Sequence, residues 1–151
     1  MGTRATIHVQ ALAIILFAGI SALAPPRAHH SFGVVYDEHK PVTLTGVVSK
    51  IEWTNPHSFI FLDVKETDGK VTTWNFEGYP PGVLFRNGWK KDTTMKIGDT
   101  VTIFGWQARK GGPFAHARQV TFADGTKKYF GPGPGTGDGG ATAPVPDAGA
   151  N

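Results

Sequence analysis

The 151-residue chain contains no cysteine. That excludes disulfides, thiolate metal sites and a cysteine nucleophile. An oxidising compartment permits disulfides without requiring them, so the absence leaves export open. Recognisable catalytic motifs are missing as well. There is no Gly-x-Ser-x-Gly elbow, no phosphate-binding glycine loop and no His-Glu-x-x-His pair. Carboxylates are scattered, with Asp63 and Glu77 on neighbouring predicted strands the nearest approach to a pair. No catalytic residue is assigned, and the chain reads as a non-enzyme. A strong excess of one charge is lacking too. Fifteen Lys and Arg stand against twelve Asp and Glu. Arg4 and Arg27 belong to the leader described next, which leaves a net +1 beyond it with histidines neutral. That balance gives no electrostatic case for a nucleic-acid partner.

What is present begins with an apolar run, Ala11 to Leu23 (ALAIILFAGISAL), preceded by Arg4 and followed by small residues and prolines. It is too short to span a bilayer comfortably, which takes roughly 20 apolar residues. The order of regions is that of a secretory signal. Cleavage after Ala24 would leave Pro25 first, a poor context, so cleavage after Ala28 is favoured. Residues 1–28 are therefore expected to be a signal peptide. The remainder is expected to be periplasmic or secreted, with no membrane attachment once the leader is removed. At the other end, residues 131–151 (GPGPGTGDGGATAPVPDAGAN) carry almost no apolar bulk. Such a segment cannot offset its ordering entropy and reads as a disordered tail.

Residues 29–130 are expected to form one all-β domain. Val42–Trp53 is long and β-branched, and Asn55-Pro56 breaks it. His57–Lys65 alternates, with Ile60, Leu62 and Val64 on one face and His57, Phe59, Phe61 and Asp63 on the other. Asp68-Gly69 supplies a hairpin turn into Val71–Glu77. Pro80–Trp89 switches to helical spacing and opens on prolines that suit a first turn. Thr100–Gln107 and Ala115–Phe122 read as further strands, and Lys127–Phe130 as a short edge strand. Three strands, a short helix and two strands is the element order of an OB-like five-stranded barrel. Gly46 and Gly105 sit mid-strand, where a bulge or bend would assist closure. Trp53, Trp74, Phe76, Phe104, Trp106 and Phe122 are expected to fill the core or its ends.

Histidine is the side chain with the most chemistry to offer. His57 shares an outward face with Phe59 and Phe61, and Asn75 and Glu77 lie on the next strand. These five form the leading candidate site, for a small ligand or a periplasmic protein partner. The alternative is a transition-metal site, copper foremost, using His29, His30, His57 and His116. Cleavage after Ala28 would make His29 the first residue, so that its α-amino group and imidazole chelate one ion together. Cleavage before Ala28 would put His30 third, the position for a square-planar copper or nickel site. The leading reading needs no cofactor.

Several segments together resemble a known family: His29-His30-Ser31-Phe32, Lys40–Val48 (KPVTLTGVV), Glu52–His57 (EWTNPH), Trp74-x-Phe76-Glu77, Arg86-x-Gly88-Trp89 and Gly98-Asp99-x-Val101-Thr102. They are similar to short exported bacterial proteins grouped as domain of unknown function 6152. The resemblance runs from about His29 to Phe130. It implies export and a compact β fold, and it carries no assigned activity.

Overall fold

The computed structural model describes residues 32–133. The expected signal peptide and residues 134–151 of the expected tail lie outside that span. Gly131, Pro132 and Gly133 lie inside it, and both glycines are buried. Among the described residues no helix is long and apolar enough to cross a membrane.

The elements run α1 (Phe32–Val35), β1 (Tyr36–Glu52), β2 (Phe59–Lys65), β3 (Val71–Glu77), α2 (Pro81–Arg86), β4 (Thr100–Ala108), β5 (Phe114–Phe122) and β6 (Lys127–Tyr129). The class is all-β, as expected. The strands form one sheet in the order β3-β2-β1-β4-β5-β6, and a further pairing joins β3 to β5. That pairing is parallel, whereas the other neighbours are antiparallel. Five strands thus close a ring, and β6 extends from β5 as the anticipated edge strand.

The alternation in β2 does what its pattern dictates. Ile60, Leu62 and Val64 point inward and are buried, while Phe59, Phe61 and Asp63 stay half-buried outside. The core adds Val48, Phe76, Met95, Val101, Ile103, Val120 and Phe130. Helix α2 lies between β3 and β4. Pro81 occupies its first turn, where a missing N–H costs nothing. Its end is a Schellman turn: Gly88 takes a positive φ of 79° and the Trp89 N–H returns to the Leu84 carbonyl at 3.0 Å. That turn delivers Trp89 into the core, where its indole N–H donates to the Tyr129 carbonyl at 2.8 Å.

Three local expectations are corrected. First, β1 begins at Tyr36 rather than Val42. Asp37 to Lys40 are polar and mostly exposed, and Pro41 has no N–H, so the stretch lacks strand character in sequence. The register accommodates it by letting residues 37–40 bulge between the Tyr36–Ala108 and Pro41–Trp106 pairs. Second, the irregularity in β1 falls between Val48 and Lys50, not at Gly46. Gly46 instead permits close approach, since a Cβ there would sit 2.4 Å from the Asp63 carbonyl oxygen. Gly105 does mark a register shift, and Arg118 is the extra residue opposite it on β5. Third, Phe104 and Trp106 are not in the core cluster. They are half-buried and meet each other at a ring-centroid distance of 5.2 Å.

Candidate functional site

Glu77 ends β3, and the register sets it beside Phe59 of β2 on one flank and His116 of β5 on the other. His57 precedes β2, just after the cis Asn55-Pro56 peptide. Its flanks are tied down. Thr54 Oγ1 donates to the His57 carbonyl at 2.9 Å, and Ser58 exchanges backbone hydrogen bonds with Tyr79 and Gly78. Tyr36 opens β1 and is buried.

These three residues meet at the Glu77 carboxylate. One of its oxygens contacts His57 Nδ1, and the other accepts the Tyr36 hydroxyl. A carboxylate accepts only, so His57 donates from Nδ1, and in the neutral form of the ring the lone pair is on Nε2. Burial, reinforced by the hydrogen bond to Glu77 and by that residue's charge, holds the Tyr36 hydroxyl far above its ordinary pKa. It is a fixed donor at any physiological pH.

His116 lies directly behind this group. Its ring packs against Tyr36 at 5.1 Å and edge-on to Phe32 at 5.3 Å. Its Nε2 is 3.0 Å from the Pro132 carbonyl oxygen. That oxygen accepts only, which assigns the proton to Nε2 and the lone pair to Nδ1. Burial lowers the His116 pKa to about 4 against the partial support of the Pro132 carbonyl, and the charges of His57 and Arg118 lower it further. His116 is therefore neutral at pH 7, and His57 is near enough to act on it electrostatically. Gly131 makes the Pro132 contact possible, because a Cβ there would fall 2.5 Å from His116 Nε2.

The residues expected to form the aromatic face are placed as follows. Phe59 and Phe61 lie on the outer side of β2, half-buried, in register with Glu77 and Asn75 on β3 and with Glu52 and Lys50 on β1. Lys50 Nζ stands 5.0 Å from the Phe61 ring centroid, so the ring is partly covered by a cation. The Asn75 side-chain oxygen is buried without a hydrogen-bond partner. Asp63 does not face Glu77. It pairs with Thr73 in register and accepts from Thr73 Oγ1 and Ser49 Oγ. Of the four candidate metal ligands, His57 and His116 are brought together through Glu77, while His29 and His30 lie outside the described residues. Among the described residues no group of three or more His, Cys, Asp or Glu converges to hold a metal ion.

Tyr36, Phe32 and Pro132 were not anticipated. Tyr36 reaches Glu77 across 41 positions, a contact no local pattern announces. The one available hint was the four-residue spacing of Phe32 and Tyr36 immediately after the histidine pair.

A family model described as a family of unknown function (DUF6152) matches residues 18–116. The chain belongs to this family. The DUF6152 match takes in Tyr36, His57, Glu77 and His116, together with His29 and His30. Neither the curated proteins nor the solved structures include a match. The DUF6152 family supplies no activity, so the chemistry of the cluster has to speak for itself.

Proposed function

We propose that this DUF6152 domain is a non-enzymatic, exported binding protein whose ligand is a transition-metal ion, copper foremost, held by the imidazoles of His57 and His116. The observation that carries the reading is the Glu77 carboxylate shared by His57 Nδ1 and the Tyr36 hydroxyl. A carboxylate on the far nitrogen of a histidine fixes the ring's tautomer and orientation and raises its basicity as a ligand. His116 has the matching arrangement, with a backbone carbonyl on Nε2 and a lone pair on Nδ1. Neutral imidazole is the form that binds metal, and burial keeps His116 in that form at pH 7. Imidazole donors suit copper, nickel and zinc, and Cu(II) binds tightest of the divalent series.

Titration of the processed protein with Cu(II) and Zn(II) against a competing chelator tests this. The expected dissociation constant lies below about 1 μM, worth roughly −8 kcal/mol. His57→Gln and His116→Asn should each weaken binding while leaving the β circular-dichroism spectrum unchanged. Binding no tighter than that limit, or indifferent to both substitutions, overturns the reading.

A second reading keeps the outer face of β2 and β3, with Phe59, Phe61, Asn75, Glu77 and His57 contacting a ring-bearing ligand or a partner protein. The unpartnered Asn75 oxygen beside two half-buried rings favours it.

A further inference from the structure

Helix α2 covers one end of the ring with only part of its apolar surface. Leu84 is fully buried, and Val83 packs half-buried against the core. Phe85 follows Leu84 by about 100° around the helix, which turns it away from the core. It stands 45% exposed, with its ring 5.6 Å from that of half-buried Trp53. We propose that this end of the ring is a docking surface for an anionic lipid bilayer. Phe85 and Trp53 form its apolar tip, and Arg86, Lys90, Lys91, Lys127 and Lys128 supply the charge. The surface uses neither His57 nor His116, so it stands apart from the metal-binding reading above.

Trp89 gathers these residues at one place. Its buried ring lies 6.3 Å from Trp53 and 5.3 Å from Phe130, and its indole N–H reaches the Tyr129 carbonyl. Lys90 and Lys91 follow Trp89 directly in the chain, and Lys127 and Lys128 directly precede Tyr129. Lys128 Nζ donates to the Gly88 carbonyl at 3.3 Å, which lays that cation on the end of α2. Arg86 stands in the last turn of the same helix. All but half-buried Lys128 are exposed. Among the described residues the lysine and arginine ion pairs use Lys40, Lys50 and Arg109, so none of the five cations is neutralised by a carboxylate. The nearest carboxylates in sequence are Asp92 in the loop after Lys91 and Asp124 in the β5–β6 turn, where it accepts from the Thr126 N–H at 2.8 Å. Charge that nearly balances over the chain is thus concentrated here with one sign.

A bilayer surface fits this combination of groups. Lysine and arginine side chains reach lipid phosphates, and aromatic rings settle beside them at the level of the headgroups. A nucleic acid would ask for aromatic faces open to stacking bases. One face of Phe85 is already taken by Trp53, at an interplanar angle of 35°. An acidic protein would offer fixed partners, which suit the planar fork of arginine. Four of the five cations are lysines, flexible point charges that suit a laterally diffuse negative field. Each basic residue close to an anionic membrane contributes roughly fivefold to partitioning, so a group of them can hold a domain that spans nothing. A chain expected to keep no membrane attachment once its leader is removed would thus meet the bilayer peripherally, by its folded surface.

The test is co-sedimentation of the processed protein with vesicles of phosphatidylcholine, alone or mixed with phosphatidylglycerol, at low and high salt. The parent should bind the anionic vesicles, bind the neutral ones far less, and be released by salt. Three variants are compared. Lys90→Glu with Lys91→Glu should weaken binding by at least about tenfold. Phe85→Ser should weaken it by about fivefold, the share of a half-exposed ring that enters the interface. Lys65→Glu with Lys70→Glu makes the same change of net charge on the exposed β2–β3 hairpin. Strand β3 sets that hairpin roughly 20 Å from the end that leads into α2. This control should stay within about twofold of the parent, because salt screens charges at that distance. All the altered residues are exposed, and the β circular-dichroism spectrum should not change. A parent that ignores anionic vesicles overturns the proposal. So does a hairpin variant that loses as much as the Lys90 and Lys91 variant, since net charge alone would then explain binding. Binding of single-stranded DNA or of an acidic protein through the same residues, without vesicle binding, assigns the surface to another partner and also overturns it.

Discussion

Tyr36 and Glu77 are joined by a hydroxyl–carboxylate hydrogen bond that ties the first residue of β1 to the last residue of β3. Both groups are largely withdrawn from water, so removing the donor leaves a carboxylate oxygen short of a partner. Tyr36→Phe should destabilise the domain by about 1–3 kcal/mol, the range for leaving a buried polar group without its partner. A urea denaturation curve measures this. Because Glu77 then holds His57 less firmly, copper affinity should fall by up to about tenfold in the same variant. A variant of parental stability would show that the contact contributes nothing.

Acid should destabilise the metal-free protein through His116. In the unfolded chain this imidazole takes up a proton near its ordinary 6.5, whereas in the folded protein it resists until about pH 4. The unfolded state therefore binds more protons between those values. Stability is fully present above pH 6.5 and drains away as pH falls towards 4, by about 3 kcal/mol in all. Denaturation midpoints measured at intervals from pH 7.5 to 4 should follow that slope, and His116→Asn should flatten it. An equal slope in both proteins would remove His116 as the cause.

Gly105 and Gly33 make a matched pair. A Cβ at Gly105 would stand 1.8 Å from the His116 carbonyl oxygen, so β4 and β5 must separate to admit it. Gly105→Ala is expected to cost about 3 kcal/mol or more, at the upper end of overpacking penalties. At Gly33 a Cβ meets nothing within 4 Å, and Gly33→Ala should stay within about 0.5 kcal/mol of the parent. Thermal melts of the two variants side by side decide the matter. Comparable losses would mean that the β4–β5 approach is looser than its geometry states.

The two faces of β2 should respond differently to truncation. Ile60 is fully buried, and Ile60→Ala should cost about 2–5 kcal/mol. Phe59→Ser with Phe61→Ser removes two half-buried rings from the outer side, and the domain should keep its β spectrum and a cooperative transition. If the double variant unfolds, those rings are part of the core and the outer face is not a binding surface.

The ring architecture was readable because strand pattern and turn chemistry agree over most of the chain. Alternation in β2, the Asp68-Gly69 turn and the prolines opening α2 each mark their elements with one or two residues. The start of β1 was not readable. Asp37–Lys40 carry polar side chains and bulge out between the Tyr36–Ala108 and Pro41–Trp106 pairs, so only those flanking pairs with β4 hold them in the strand. Half of the site was legible. His57 and Glu77 stand on one outward face by period alone, and His116 was a candidate as an imidazole. Their convergence was not legible, because the β3–β5 register that brings Glu77 beside His116 depends on ring closure rather than on any local pattern. Tyr36 was missed for the same reason.

The parallel seam between β3 and β5 has a consequence for when the site comes into being. His57 and Glu77 belong to the β2–β3 hairpin, a local pairing, whereas His116 stands on β5, the last strand of the ring in chain order. The two imidazoles are neighbours only after that long-range, slow-forming pairing is made. Any bound ion would fasten the seam shut, and a nascent or frayed chain would have only half a grip.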